Sequence, residues 1–318
     1  MDLKPELVKR LEALEKKYSA MGQDLVSYLD GLLYADFLTY WDYVHVDTLL
    51  SLQNPRTSFP DEKIFIIYHQ ITELYFKLCL NEFEQLSDAK SPDLKIFYLR
   101  LERINNYFEN LIRSFDIMIT GMEPEQFLKF RMSLLPASGF QSAQYRMIEI
   151  SATDFINLIG KDHRSKFGID SISKEMFSCI YWKAGATELA SGKKTLTLEQ
   201  FEEKYSESLT KLVEEKRTTN LWQVYKKLSE ADQKDARLVG LMKLLDVNVN
   251  VNWPLSHYKS AVRYLQKDPE DIKATGGTNW QKYLPPRFQL RIFYPELWNK
   301  DELENWGKSW VAKEVFGL

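Results

Sequence analysis

The sequence predicts an all-α fold, and three observations support this prediction. Apolar residues recur at helical spacings of three and four along most of the chain. No segment shows an alternation of apolar and polar residues between turn signals that outweighs this helical periodicity. Neither an internal repeat nor a low-complexity tract occurs, which argues against a solenoid. We therefore expect a single large helical domain over residues 1–318.

The first predicted helix lies at the N-terminus. Leu7, Leu11, Leu14 and Tyr18 follow one another at alternating spacings of four and three, with charged residues between them, as in a coiled-coil seam. Residues 1–22 are therefore predicted to form an amphipathic helix that needs a partner surface.

Two further helices are expected in the first half of the chain. Pro60 is followed by Asp61 and Glu62, and acidic residues are favoured in a first helical turn. The segment that continues to Leu86 is apolar around much of its circumference, so this helix should be buried. The next helix carries a single apolar stripe, which we assign to a core: Leu101, Ile104, Phe108, Leu111 and Phe115.

Turn signals separate the predicted helices near residues 53–56, 135–139, 190–194 and 267–270. None of these breaks resembles a flexible interdomain linker. Residues 192–235 are strongly charged, and we expect them to form solvated helices at the periphery of the core, without a part in the chemistry.

Composition restricts the classes of function. The 42 Lys and Arg against 45 Asp and Glu give a formal net charge of −3 without a long run of one sign, which argues against nucleic-acid binding. Cys79 and Cys179 lack ligand spacing, which argues against a disulfide framework and a zinc site. Neither an apolar signal core nor an uncharged stretch near the roughly 20 residues that cross a bilayer occurs. We expect a cytoplasmic protein with no membrane association.

Three of the four histidines can be weighed on their neighbours alone. His69 lies in the apolar run 64–71, where a polar ring needs a hydrogen-bond partner. It is either a core histidine bonded to the backbone or to Glu73, or a residue that faces a ligand. His45 and His163 lie in polar or charged surroundings, and we predict both at the surface.

The fourth histidine, His257, follows Pro254 at a plausible helix start. A lone histidine on a helix can hold heme iron axially and leave the opposite face open to O2. It is also the commonest kind of uninformative histidine, so the pattern alone leaves both interpretations open.

Two other features are candidates for ligand binding. Arg131 lies between apolar residues and the turn at 135–139, where a guanidinium can bind a carboxylate through two parallel hydrogen bonds. A surface arginine near a turn fits this pattern too. The small-residue loop 274–278 can approach a ligand closely, but it lacks the GK[ST] element of a phosphate loop, and a plain turn also explains it.

Taken in order, the segments between about Gly31 and Leu284 resemble the tryptophan 2,3-dioxygenase family. The resemblance rests on residues 31–38, 49–53, 61–77, on His257 with Arg263, and on Thr275 with the two glycines after it. Its most specific part is Phe130 and Arg131 followed by Pro-Ala-Ser-Gly-Phe-Gln-Ser at 136–142 and Gln-Tyr-Arg at 144–146.

The resemblance implies the tryptophan/indoleamine dioxygenase type of helical fold and a heme b cofactor, ferrous in the active state. It implies cleavage of the indole C2–C3 bond of L-tryptophan by O2 to give N-formylkynurenine, the first step of kynurenine-pathway tryptophan catabolism. His257 is implied as the axial iron ligand and His69 as the catalytic distal residue that accepts the indole N–H. The implied substrate-binding residues are Arg131 for the carboxylate, Thr275 for the amino-acid end, and Phe65, Tyr34, Phe37, Leu38, Phe127 and Ser138 around the indole and heme.

Three departures from the family pattern are visible. Ala274 and Trp280 stand where glycines are usual, and the spacer from His257 is a few residues longer. Tyr75 replaces a common tryptophan, and Phe127 stands where some members have tyrosine. The loop changes put the manner of loop closure over substrate in question.

The family is typically homotetrameric, with an N-terminal segment of one subunit reaching a neighbour's active site, and the amphipathic stretch 3–18 is compatible with this. Other readings remain open at the level of sequence. One is a relative that oxygenates another indole. Another is a non-catalytic heme or tryptophan sensor, and a third is a purely structural helical protein.

Overall fold

The computed structural model describes residues 3–87, 93–134, 139–168, 171, 173–187, 193–265 and 286–308. Within these ranges the regular structure is helical, and the only β-type pairings are two isolated bridges, Ile159 with Ile180 and Thr187 with Lys194. The prediction of an all-α fold is confirmed. No helix in the described part of the chain is both long and apolar enough to span a bilayer.

The chain divides into two compact units, residues 1–54 and 55–318, so the single-domain organisation stays a prediction. The first unit contains four helices: α1 (Pro5–Ala20), α2 (Leu25–Leu33), α3 (Tyr40–Val44) and α4 (Val46–Leu50). The Asp24 carboxylate accepts the N–H groups of Val26 and Ser27 and so caps α2. Of residues 3–54, Leu25 alone is buried, and apolar side chains such as Leu32 and Leu33 are exposed.

The second unit contains the remaining helices. In chain order they are α5 (Asp61–Ser87), α6 (Leu94–Ser114), α7 (Asp116–Ile119), α8 (Pro124–Phe130), α9 (Ala143–Ala152), α10 (Ser173–Ser178), α11 (Tyr181–Gly185), α12 (Leu196–Lys216), α13 (Leu221–Lys226), α14 (Glu230–Gln233), α15 (Ala236–Val247), α16 (Trp253–Leu265), α17 (Pro286–Gln289) and α18 (Lys300–Glu304). Short 3₁₀ turns occupy Arg131–Leu134, Gly139–Gln141, Phe155–Leu158, Arg164–Lys166 and Pro295–Leu297, and a π-helical turn occupies Asn248–Asn252.

The start of α5 is held by its two acidic residues. The Glu62 carboxylate accepts the backbone N–H groups of Arg56 and Thr57, each at 2.8 Å. Asp61 accepts the N–H of Glu123 at 2.6 Å, which ties the start of α5 to the start of α8. These carboxylates also lie favourably at the positive end of the helix dipole, as the sequence predicted.

The core of the second unit is built on α6. Its predicted stripe is buried as expected: Leu101, Ile104, Phe108 and Leu111 are fully buried, and Phe115 is nearly so. This face packs against α5 and α15. Burial of each such side chain contributes about 1.5–3 kcal/mol, so the stripe anchors α6 at the centre of the unit.

The prediction that α5 is buried around much of its circumference is wrong for one side. Ile67, Ile71, Leu74 and Leu78 are exposed and follow one another at spacings of four, three and four. Because α6 and α9 pack on other sides of α5, this stripe remains at the surface of the second unit. An exposed apolar stripe on a long helix is typical of a helix that packs against a further protein surface.

The charged segment 192–235 is more than a solvated periphery. Its helices α12 and α13 bury Leu198, Phe201, Leu209 and Trp222 in the main core cluster, because each helix turns one apolar face inward. The charged side chains of the run 214–217 are partly or fully exposed. That this segment takes no part in the chemistry stays a prediction.

The π-helical turn joins α15 to α16 and is stabilised by buried amide side chains. Asn248 donates to Asn105 of α6 at 3.2 Å, and Asn252 donates to Asn248 at 2.9 Å. Single π-turns within helices are often found at functional sites. Here the turn fixes the rotation of α16 relative to α15.

Candidate functional site

A cavity of about 370 Å³ lies inside the second unit, which is within the range of small-molecule and cofactor sites. Its walls come from α5, α8, α9, α11, the π-helical turn, α16 and α17. Much of the lining is aromatic or aliphatic, and its polar groups are two histidines, two arginines, one carboxyl group and several hydroxyl and amide groups. A cavity of this kind suits a flat, largely apolar ligand that carries a few charged groups.

His257 projects from α16 into this cavity. Its Nδ1 lies 3.0 Å from the carbonyl oxygen of Trp253, one turn earlier on the same helix. The rings of Trp253 and Phe115 lie 4.6 and 4.5 Å from its own, centroid to centroid, and hold the imidazole in place. The hydrogen bond at Nδ1 selects the tautomer that leaves Nε2 with a free lone pair.

His69 lines the same cavity from α5 and has the same local arrangement. Its Nδ1 lies 2.7 Å from the carbonyl oxygen of Phe65, and the Phe65 ring packs against it at 4.1 Å. Both interpretations of His69 from the sequence therefore apply. The backbone accepts a hydrogen bond from one ring nitrogen, and the ring also faces the cavity.

Both imidazoles are held neutral. Burial lowers the pKa of His257 to about 4, with a smaller contribution from His69 nearby. Burial also lowers the pKa of His69, although the Phe65 carbonyl and Glu73 act in the opposite direction. At neutral pH each ring is uncharged, which is the form that binds metals and accepts hydrogen bonds.

Aromatic side chains form the wall next to His69. The Phe127 ring lies 6.5 Å from Phe65 and 4.6 Å from Tyr264, which belongs to α16. Because position 127 is phenylalanine, this ring itself brings no hydroxyl to the wall. The α5, α8 and α16 helices thus meet around one apolar slot.

Another part of the wall is polar and charged. Arg146 and Glu149 of α9 form an ion pair at 3.0 Å, and Arg291 pairs with the same carboxylate. The Tyr181 hydroxyl donates to Glu149 and accepts from both arginines. Sequence reasoning assigned no role to these residues; the spacing of Arg146 and Glu149 on one helix was the available signal.

Arg291 also connects this cluster to the π-helical turn. It donates to the side chain of Asn250, whose amide donates to the Asp246 carboxylate at 2.7 Å. Asp246 is fully buried and accepts in addition from the N–H groups of Phe293 and Tyr294. The turn that precedes α16 is thereby fixed by the C-terminal segment.

The structure brings together four of the residues implied by the resemblance: Phe65, His69, Phe127 and His257 line one cavity. Arg131 follows α8 and is buried, and burial lowers its pKa, but it is not among the residues that line the cavity in the described part of the chain.

The other implied residues lie elsewhere. Tyr34, Phe37 and Leu38 belong to the first unit and are exposed, and Phe37 has a φ of 56°, which is rare for an aromatic residue. Ser138 and Thr275, with the loop 274–278, lie outside the described residues.

The remaining sequence candidates are not part of this cavity. His45 is exposed as predicted, whereas His163 is only partly exposed and lies next to Lys166. Among the described residues, no group of three or more His, Cys, Asp and Glu side chains could hold a metal ion.

Comparison with known proteins identifies the family. The family model for tryptophan 2,3-dioxygenase matches residues 34–238. The tryptophan 2,3-dioxygenase of Bacillus anthracis is 30% identical over 280 residues, which cover 84% of this chain and 94% of that protein. The enzyme of the same name from Bradyrhizobium diazoefficiens is 28% identical over 82% of this chain and 91% of its own length. That from a Ruegeria species is 40% identical over 117 residues, 36% of this chain and 42% of that protein. The chain belongs to the tryptophan 2,3-dioxygenase family.

Proposed function

We propose that this protein is a heme-dependent enzyme that cleaves the indole C2–C3 bond of L-tryptophan with O2 and yields N-formylkynurenine, the first step of tryptophan catabolism by the kynurenine pathway. The observation that supports this most directly is the pair of neutral histidines, His69 and His257, that line one aromatic cavity. Membership of the family supports the substrate and the reaction.

The residues of the cavity fit a heme b group. A neutral imidazole on a helix, with its Nδ1 proton engaged by a carbonyl, is a suitable axial ligand through Nε2, and His257 meets these conditions. Among the described residues no hydrogen bond engages Nε2 of His257. A ferrous heme at this place would supply the activation of O2 for addition to the indole.

His69 is proposed to position the indole. As a neutral ring whose Nδ1 proton is engaged by Phe65, it can accept the indole N–H at Nε2. The rings of Phe65 and Phe127 would hold the indole plane by contact with its faces and edges. In this role His69 fixes orientation and is not an obligatory base.

The amino-acid end of the substrate needs partners for two charges, because a buried zwitterion is costly unless both are answered. Arg131 is proposed to bind the carboxylate as a fork, and Thr275 to help hold the ammonium end together with a heme propionate. Ser138, Tyr34, Phe37 and Leu38 stay proposed substrate-binding residues on the strength of the family resemblance. The aromatic walls of the cavity would exclude water from the reacting atoms.

A homotetramer is the proposed assembly. The first unit exposes many apolar side chains, and α5 exposes the stripe Ile67, Ile71, Leu74 and Leu78. Exposed apolar surface of this extent is typical of protein interfaces. The two cysteines are unpaired thiols, which suits a reducing compartment, so a cytoplasmic location is part of the proposal.

The test is an absorbance assay of heme-loaded, reduced protein with L-tryptophan in air, in which product and the Soret band are followed together. Stoichiometric heme and N-formylkynurenine are the expected result. A Soret band without product from L-tryptophan would redirect the proposal to another indole or to a sensor. Absence of specific heme binding after reconstitution would overturn it.

A further inference from the structure

The π-helical turn at Asn248–Asn252 leaves one backbone carbonyl without a helical donor. In a π-turn each carbonyl accepts from the N–H group five residues later, and Trp253 donates in this way to Asn248. The corresponding donor for Val249 would be residue 254, which is proline and has no N–H group. Val249 is fully buried, so its carbonyl needs a donor from elsewhere in the protein.

Two side chains from distant parts of the chain supply that donor. The Tyr145 hydroxyl, on α9, donates to the Val249 carbonyl at 3.0 Å, and Arg291 donates to the same oxygen at 3.3 Å. Arg291 also donates to the Tyr145 hydroxyl at 3.0 Å, so the Tyr145 proton is left for the carbonyl. The same guanidinium donates to the side chain of Asn250 within the turn. Tyr145 and Arg291 therefore hold the turn from outside its own helix.

The turn determines which way His257 faces. One residue of an α-helix occupies about 100° of rotation, so the extra residue of a π-turn rotates the helix that follows it by about that angle. His257 lies four residues after Trp253, the first residue of α16, and lines the cavity. If the turn relaxed to an α-helical form while α15 stayed packed on α6, the imidazole would rotate away from its present place in the cavity wall.

We propose that Tyr145 and Arg291 are positioning residues for the iron ligand: by donating to the Val249 carbonyl they hold the π-helical turn, and the turn directs the imidazole of His257 into the cavity. This rests on the proposed function, because it takes His257 as the ligand of the heme iron. It also accounts for the Gln-Tyr-Arg segment at 144–146, which belongs to the most specific match to the family and has no other role in the proposed function.

The experiment uses Tyr145→Phe, which removes only the hydroxyl. Wild type and variant are loaded with heme and reduced, and the iron–histidine stretching band is recorded by resonance Raman spectroscopy without O2 or substrate. This band reports the bond between iron and imidazole, which a purely structural role of the hydroxyl would not alter. We expect stoichiometric heme, a shifted and broader band, and heme loss about threefold to tenfold faster, because a buried carbonyl loses a donor.

Arg291→Lys is the second variant. It keeps a positive charge for Glu149, but an ammonium group cannot reach Tyr145, Val249 and Asn250 together as the guanidinium does. We expect this variant to shift the band as well. If Tyr145→Phe does not fold, Arg291→Lys carries the comparison.

Tyr225→Phe is the matched control. The Tyr225 hydroxyl also donates to a backbone carbonyl, that of Gln233 at 2.6 Å, and Tyr225 is buried but does not line the cavity. Loss of this bond is expected to leave the iron–histidine band and the rate of heme loss unchanged. Thermal unfolding of each apo variant shows whether the two tyrosine variants are equally stable.

The outcomes separate this inference from the proposed function. A wild-type band and a wild-type rate of heme loss in the folded variants would overturn the inference, while the proposed function stands. A shift of equal size in Tyr225→Phe would also overturn it, because the effect would then follow from a general loss of stability. Absence of an iron–histidine band from reduced wild type would refute His257 as the iron ligand, and the inference would fall together with the proposed function.

Discussion

His69 and His257 line the same cavity, and in each the Nδ1 atom lies within 3.0 Å of the carbonyl oxygen four residues earlier. This bond fixes the ring on its helix and leaves Nε2 of both residues available. Since burial lowers both pKa values, two neutral imidazoles are presented to one ligand space. The proposed roles differ, one toward iron and one toward the indole, so substitutions should separate them.

Replacement of the proposed iron ligand is expected to abolish heme binding. His257→Ala removes the one helix-borne imidazole assigned to the iron, and the rings of Trp253 and Phe115 offer no replacement ligand. The Soret band after reconstitution and the rate of N-formylkynurenine formation should both fall to background. His163→Ala, a partly exposed histidine away from the cavity, is the control and should retain both. Stoichiometric heme and normal turnover in His257→Ala would refute the assignment.

Replacement of the distal histidine is expected to have a different outcome. His69→Ala should retain stoichiometric heme but lower turnover about 10-fold to 100-fold, because the buried indole N–H is left without its acceptor, at a cost of about 1–3 kcal/mol. Parallel measurements of the Soret band and of kcat make the distinction. Loss of the heme itself would contradict a purely distal role, and unchanged turnover would show that His69 does not orient the indole.

Local features of the fold could be predicted from the sequence because neighbouring residues determine them. The stripe on α6 and the acidic start of α5 follow from helical periodicity and from the helix dipole. The exposed stripe on α5 could not be predicted, because apolar character does not tell which side a neighbour covers. Similarly, the Asn-Val-Asn-Val-Asn run at 248–252 alternates in the way that is typical of a strand. It nevertheless forms a helical turn, in which the side-chain amide of Asn252 donates a hydrogen bond to that of Asn248.

The site was predicted only where the family resemblance named a residue. His69 and His257 lie far apart in sequence, and nothing in local spacing indicates that their side chains share a cavity. The Arg291 to Glu149 pair joins residues 142 positions apart, and Arg291 lies in a segment with no helical pattern to draw attention to it. Such long-range pairs depend on the packing of α9 against the C-terminal segment, which composition and periodicity do not encode.

The central stripe of α6 should dominate stability. Phe108 is fully buried in the main core cluster and contacts Phe76, so Phe108→Ala is expected to lower the free energy of unfolding by about 3–5 kcal/mol. Leu99 on the same helix is 44% exposed, and Leu99→Ala should change it by about 0.5 kcal/mol or less. Denaturant titration of both variants checks this. Equal effects would mean that the stripe does not form the core as described.

The exposed apolar residues of α1 should matter for assembly more than for the fold of the second unit. Leu7 and Leu14 are 47% and 38% exposed, so the double change Leu7→Glu with Leu14→Glu should leave the helical content unchanged. If α1 packs on another subunit, the charges should lower the native mass measured by light scattering. The matched control is Lys9→Gln with Lys16→Gln, which changes the net charge by the same amount at exposed positions of α1 without touching the predicted seam. An unchanged mass in the leucine variant would remove α1 from the proposed interface.

The pH dependence of stability should carry the signature of Asp246. Burial raises the pKa of this carboxyl from 3.8 to about 6, despite four donors around it. In the native state it therefore holds a proton between these two pH values, where the unfolded chain releases it. Its contribution to stability is fully present below pH 3.8 and is lost as pH rises through about 6, a change of about 3 kcal/mol.

His257 acts in the opposite direction in the apo protein, because its lowered pKa favours the native state above pH 6.5 and this advantage is lost as pH falls toward about 4. The wild-type curve alone would hide the Asp246 contribution, so the comparison is with Asp246→Asn, which retains His257. The variant should be less stable at every pH. Its amide N–H₂ group is itself a donor, so it cannot accept the hydrogen bonds that Phe293, Tyr294 and Asn250 donate to the carboxylate. The difference in unfolding free energy between the two proteins should shrink by about 2–2.5 kcal/mol from pH 4 to pH 7, because part of the full change is already lost at pH 4. A difference that stays constant over this range would mean that Asp246 is ionised throughout, held so by its four donors.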